Sequence, residues 1–172
     1  SVVCWNPGSL AGDRLSEVLE AFSAERIDVI AFSGTGLTQL DAARGFDLLH
    51  NDHYIFISFG GPREEIWKPG VALALRQKTF HIDNILYVIP GKAAGTRGRV
   101  GATRIKREEY DVTFIVSYPP PPQSNGRPRP QYAATLNETA KLYNDKKLCP
   151  SRNLQCILGD FNAHIGLKKV QG

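Results

Sequence analysis

The chain has 172 residues, enough for one domain that could bury roughly 70% of the surface its unfolded chain exposes. Hydrophobic residues make up 42% and charged residues 22%, a balance that excludes a disordered chain; no apolar run approaches the ~20 residues of a membrane span, so no membrane partner is expected. The net charge of +4 favours a polyanionic partner only mildly, and three cysteines without paired spacing (Cys4, Cys149, Cys156) exclude CxxC zinc ligation and argue against a disulfide framework.

In chain order, SVVCWN (residues 1–6) reads as a strand closed by the Pro7-Gly8 turn. Leu10, Leu15, Val18, Leu19 and Phe22 recur at helical spacing and predict a helix over 10–24. The continuous apolar run at 27–32 (IDVIAF) predicts a strand covered on both faces. Strands follow at 54–59 (YIFISF), 71–76 (VALALR), 80–88 and 102–106, after a Gly- and Arg-rich stretch at 96–101. A strand at 111–118 (DVTFIVSY) is stopped by four prolines, Pro119 to Pro122, read as a strand stop and a stiff loop. A polar loop covers 124–130. A helix is predicted over 132–145, with Ala133, Leu136, Ala140 and Tyr143 along one side. The last strand, 154–158 (LQCIL), runs into Gly159-Asp160-Phe161-Asn162. Helices near the start and end with mostly strands between predict an α/β (α+β) sandwich: two packed β-sheets flanked by helices, in four layers. The chain contains no methionine, opens on a strand and stops just past its sharpest motif, so the expectation is one domain over 1–172 that is trimmed or a fragment.

That sharpest motif is ILGDFNAH, 157–164. In an extended chain residues i and i+2 face the same way, so Asp160 and Asn162 would project together from a strand end, suited to orienting water or holding a hard cation through oxygen. Taken alone, such a pair is more often an Asx turn. Three further buried strands shift the weighting by delivering polar residues at their ends: CWN at Asn6, DVIAFSGTGL over 28–37, and VTFIVSYPPPP at Tyr118.

These segments, in this order, resemble the endonuclease/exonuclease/phosphatase superfamily (the deoxyribonuclease I-like fold). Within it they are most similar to endonuclease domains of non-long-terminal-repeat retrotransposons and their abasic-site endonuclease relatives. The family's WN, DI(I/V)xLQET, GVAI, YxP and GDFN strands correspond here to Cys4-Trp5-Asn6, residues 28–35, Gly70 to Leu73, Tyr118-Pro119-Pro120 and Gly159 to Asn162. The resemblance implies a metal-dependent phosphodiester hydrolase acting on nucleic acid. Asn6 would help arrange the metal and phosphate site, and Asp160 would orient or deprotonate the attacking water. Asn162 would bind phosphate oxygens, and Tyr118 would contact the scissile phosphate. Mg²⁺ or Mn²⁺ would be the cofactor, held by Asn6 and Asp160 because every candidate ligand is an oxygen. The partner would be nucleic acid, DNA ahead of RNA, and the protein monomeric and intracellular, nuclear or cytoplasmic.

The sequence also departs from the family. Gly34, in Ser33-Gly34-Thr35, stands where the family has its metal-binding Glu, and Pro121 replaces an Asn after the YxP motif. The family's last motifs, including an Asp-His pair, would lie beyond residue 172. The expectation is therefore an endonuclease, retrotransposon-derived and impaired in this copy. The alternatives are a catalytically inactive nucleic-acid-binding remnant of the same fold and a phosphatase of small phosphoesters.

The stretch 97–107 carries Arg97, Arg99, Arg104, Lys106 and Arg107, readable as a phosphate-tracking patch beside the site or as a solvated hairpin face. Arg127 and Arg129 are a weaker second pair, and His164 is more readily a solvated residue than a member of the site. Trp5 is expected in the core, Trp67 partly buried at the surface, and the cysteines as small apolar packing residues.

Overall fold

The computed structural model describes residues 1–38, 40, 43–61, 69–123, 127 and 129–162. Trp67, His164 and part of the expected 124–130 loop lie outside the described residues.

Strand β1 (Val2–Trp5) pairs in parallel with β2 (Val29–Ser33). A parallel pair needs a crossover, and helix α1 (Arg14–Ala24) supplies it. The helix begins later than its apolar spacing predicts. Leu10 is only 1% exposed, but its N–H donates to the Thr35 carbonyl at 2.7 Å, so it is pinned in a loop ahead of α1. Three strands complete the first sheet by antiparallel pairing: β3 (Asp47–His50), β4 (Tyr54–Phe59) and β5 (Val71–Arg76), in the order β1-β2-β5-β4-β3. Strand β3 is not anticipated from the sequence. It is a short edge strand whose last two residues are exposed, so it carries neither alternation nor a buried run.

The second sheet has the order β6-β7-β8-β9. Strand β6 (Ile85–Pro90) starts after the 80–88 run predicts, because the His81 imidazole accepts a hydrogen bond from the Asp83 N–H and a 3₁₀ turn fills Ile82–Asn84. Strands β7 (Val100–Lys106) and β8 (Asp111–Ser117) form an antiparallel hairpin, and β9 (Leu154–Gly159) runs parallel to β8. Helix α2 (Pro130–Asn144) is the crossover between β8 and β9.

The four layers follow from where the apolar residues go. Between the sheets lie Val29, Ala31, Ile57, Phe59, Leu73 and Leu75 from one side and Ile105, Val112, Phe114 and Val116 from the other. Each such Val, Ile, Leu or Phe side chain contributes about 1.5–3 kcal/mol when fully buried. Gly101 allows the Phe59 ring of the opposite sheet to sit directly on β7. The outer face of the first sheet packs Ile30, Phe32 and Phe56 against Leu15, Val18, Leu19 and Phe22 of α1, with Trp5 and Phe22 edge to face at 5.6 Å. The outer face of the second sheet packs Val100, Ala102 and Ile115 against Leu142, Leu148 and Cys149.

The buried side of α2 differs from the expected apolar stripe. Ala133, Ala140 and Tyr143 face outward, whereas Thr135, Glu138, Thr139 and Leu142 are buried. The reason is hydrogen bonding. Thr139 Oγ1 meets Ser117 Oγ at 2.8 Å, and Glu138 accepts the Lys92 N–H at 2.9 Å. These partners satisfy polar groups that burial would otherwise leave costly. All three cysteines are free thiols, and burial pushes those of Cys149 and Cys156 up from the ordinary range. Among the described residues no helix is long and apolar enough to cross a membrane.

Candidate functional site

Strands β1 and β2 end on the same rim of the sandwich as β8 and β9, because each sheet contributes a parallel pair pointing the same way. The residues just past those four ends are Asn6, Gly34, Tyr118 and Asp160. Asn6 Nδ2 donates to Asp160 Oδ2 at 3.2 Å, linking the two sheets across 154 positions of sequence. The Asp160 N–H donates to Ser33 Oγ at 3.1 Å, a second link, and Ser33 is 1% exposed. A Cβ built on Gly34 would stand 2.8 Å from Asn6 Oδ1 and 3.5 Å from Tyr118 Cζ, so Gly34, Asn6 and Tyr118 border one small space. The Tyr118 N–H donates to the Arg99 carbonyl at 2.7 Å.

Asn162 joins the group by a different route from the one predicted. The chain does not remain extended from Asp160 onward: Asn162 has φ +46, and its N–H donates to Asp160 Oδ1 at 3.0 Å. That is an Asx turn. The Asn162 amide then donates to the Pro119 carbonyl at 2.8 Å, tying the end of β9 to the proline segment after β8. The Asx turn and the site coexist, since the same carboxylate closes the turn with one oxygen and meets Asn6 with the other. Gly159 makes the approach to the site unusually close, because its φ is +141 and any Cβ there would overlap the Ser117 carbonyl oxygen.

The arrangement bears on the expected dication. Both oxygens of Asp160 accept N–H donors, Asn6 Oδ1 accepts the Gly8 N–H at 3.1 Å, and position 34 has no side chain. Among the described residues no group of three or more His, Cys, Asp and Glu gathers. A hard dication needs carboxylate and neutral oxygens turned toward it, and here the carboxylate is turned toward amide hydrogens. As arranged, these residues do not fit a resident Mg²⁺ or Mn²⁺.

The basic stretch is divided. Arg97 and Arg99 precede β7 at the rim beside Tyr118; Arg97 is exposed and Arg99 is 9% exposed. Arg104, Lys106 and Arg107 lie toward the other end of β7, and at about 3.3 Å per residue Arg104 is some 17 Å farther along the strand than Arg99. Arg104 forms a two-pronged ion pair with Asp111, at 2.9 and 2.7 Å, and donates to the Lys147 carbonyl at 2.6 Å. That guanidinium holds the Asp111 carboxyl below the usual carboxylate range. Arg107 pairs with Glu109 at 3.2 Å, and Arg129 Nε donates to the Pro121 carbonyl at 3.2 Å. The five cations therefore do not form one patch beside the site. Ser33, not among the expected site residues, is part of the site, and its position at the end of a fully buried strand is the available signal.

No family model and no curated protein sequence matches the chain. Solved structures do. An AP endonuclease, LMAP, from Leishmania major is 17% identical with TM-score 0.63, over 91% of this chain and 53% of that one. An AP endonuclease from Archaeoglobus fulgidus is 18% identical with TM-score 0.54, over 94% and 57%. The endonuclease domain of TRAS1, a telomere-specific non-LTR retrotransposon, is 14% identical with TM-score 0.54, over 95% and 61%. The chain thus has the deoxyribonuclease I-like fold, and it spans between 53% and 61% of the length of these structures.

Proposed function

We propose that the chain carries a nuclease-type phosphodiester hydrolase site acting on nucleic acid, DNA ahead of RNA, of the kind found in retrotransposon endonuclease domains. The observation that carries this reading is the 3.2 Å hydrogen bond from Asn6 to Asp160, which sets one carboxylate at the rim where four strands end. Ligands of layered α/β folds commonly bind outside the carboxyl ends of strands. The likeness to solved AP endonucleases and to the TRAS1 endonuclease domain supports the same class.

In this mechanism Asp160 orients a water molecule and accepts its proton as the water attacks phosphorus in line, the P–O bond to the leaving sugar oxygen breaks opposite it, and that oxygen takes a proton from solvent. General-base assistance of this type contributes about 10²–10⁴ in rate. Asn6 fixes the carboxylate so that its reorganisation adds little to the barrier. Tyr118 presents its hydroxyl to the scissile phosphate, and the Asn162 amide carries a second N–H for a phosphate oxygen. Arg97, exposed at the same rim, draws the polyanion in, whereas Arg104 is committed to Asp111. Because the described donors do not fit a dication, no step is assigned to one.

Gly34 favours a second reading, a nucleic-acid-binding domain of this fold without turnover, since the site then has a single carboxylate to work with. Labelled duplex DNA, RNA of the same sequence and p-nitrophenyl phosphate, each incubated with the chain and with Asp160→Ala, separate the possibilities. The expected result is Asp160-dependent cleavage of DNA above RNA. Binding without cleavage would move the chain to the second reading, and hydrolysis of the small phosphoester alone would make it a phosphatase.

A further inference from the structure

We propose that Gly34 is a packing requirement of this site: the Asn6 amide occupies the space that a side chain at position 34 would need, so an acidic residue there and the Asn6–Asp160 pair exclude one another. The inference stands on backbone geometry and packing, and it holds whether or not the site turns over substrate.

Gly34 has φ +68, a left-handed conformation that residues with a Cβ adopt only under strain. The Cβ would stand 2.8 Å from Asn6 Oδ1, closer than a van der Waals contact, with Tyr118 Cζ 3.5 Å away. Asn6 Oδ1 is not a loose side-chain end. It accepts the Gly8 N–H at 3.1 Å while Nδ2 of the same amide donates to Asp160 at 3.2 Å, so displacing it breaks both bonds. Nor can the backbone turn away. Ser33 and Thr35 are 1% and 0% exposed, Ser33 Oγ accepts the Asp160 N–H at 3.1 Å, and the Thr35 N–H donates to the Gly70 carbonyl at 2.9 Å. The glycine is locked on both sides and faces an amide that is itself locked. Introducing Glu at 34 would therefore release Asp160 before it could add a second carboxylate.

The test compares Gly34→Ala, Gly34→Glu, Asn6→Ala and the doubles Asn6→Ala/Gly34→Ala and Asn6→Ala/Gly34→Glu. Melting temperature is measured for each. Both single Gly34 variants are expected to melt about 4 °C or more below the parent. Removing Asn6 first should relieve part of that loss, so the doubles should fall short of the summed single effects by about 2 °C or more. If Gly34→Glu fails to fold, the Asn6→Ala/Gly34→Glu double is compared with Asn6→Ala alone, and the milder loss is expected there. The proposal is overturned if Gly34→Glu melts within 1 °C or so of the parent, or if the single effects simply add.

Discussion

Asn6 and Asp160 stand 154 positions apart in sequence and meet at 3.2 Å, the amide Nδ2 donating to the carboxylate Oδ2. Each belongs to the end of an edge strand, β1 in one sheet and β9 in the other, so this bond spans the mouth of the sandwich. Asn6 is exposed, so replacing it with Ala should lower stability by no more than about 1 kcal/mol. A hydrogen bond of this kind contributes about 1 kcal/mol net, which, lost from the transition state, predicts roughly a fivefold loss of DNA cleavage for Asn6→Ala. Kinetics and thermal melting of the same variant check both halves of the expectation.

Gly159 admits no Cβ, because it would overlap the Ser117 carbonyl oxygen on the neighbouring strand. Gly159→Ala should force β9 away from β8 just before Asp160, with a loss of about 3 kcal/mol or more. Urea denaturation gives the value, and a midpoint equal to the parent's would show that the strand end shifts freely.

The Arg104–Asp111 pair gives a defined pH dependence. The Arg104 hydrogen bonds lower the folded carboxyl below its unfolded value, so the pair's stabilisation is present above the unfolded pKa of about 3.9 and is lost as pH falls through the folded one. Asp111→Asn should therefore be less stable than the parent at pH 7, by about 2 kcal/mol, with the gap closing as pH drops below 4 or so. Denaturant titrations at several pH values measure the gap.

Arg97 and Lys106 lie on opposite sides of β7, one before its start and one at its end, so they should differ in DNA binding. Arg97→Ala should weaken binding and reduce the slope of log K against log salt by about 1. Lys106→Ala should change neither, and fluorescence anisotropy across a salt series distinguishes them.

Much of this architecture is written plainly in the sequence. The runs 27–32, 54–59, 71–76 and 111–118 are apolar on both faces because they sit in sheets covered on both sides, and they become β2, β4, β5 and β8. Tyr118 at the end of β8 is legible for the same reason, whereas β1 and β9, which carry Asn6 and Asp160, are half-exposed edge strands rather than the buried strands expected, and only their motifs mark them. Other features depend on tertiary partners that periodicity does not show. The buried side of α2 holds Thr135, Glu138 and Thr139 because Ser117 and the Lys92 N–H await them. Leu10 is a core residue at helical spacing that belongs to a loop, since the Thr35 carbonyl takes its N–H. Asn162 leaves the extended conformation because the Asp160 side chain captures its backbone. The basic stretch looked continuous because neighbours along a strand are near in sequence yet spread over its length.

The most direct test of the proposed chemistry is nicking of supercoiled plasmid, in buffer containing Mg²⁺, by the chain and by Asp160→Asn. The substitution keeps the shape and removes the charge and the basic oxygen, so the melting temperature serves as a fold control. The expected result is nicking by the parent and a fall of about 10² or more in rate for the variant. Equal nicking by both folded proteins, or none by the parent, would contradict a catalytic role for the Asp160 carboxylate.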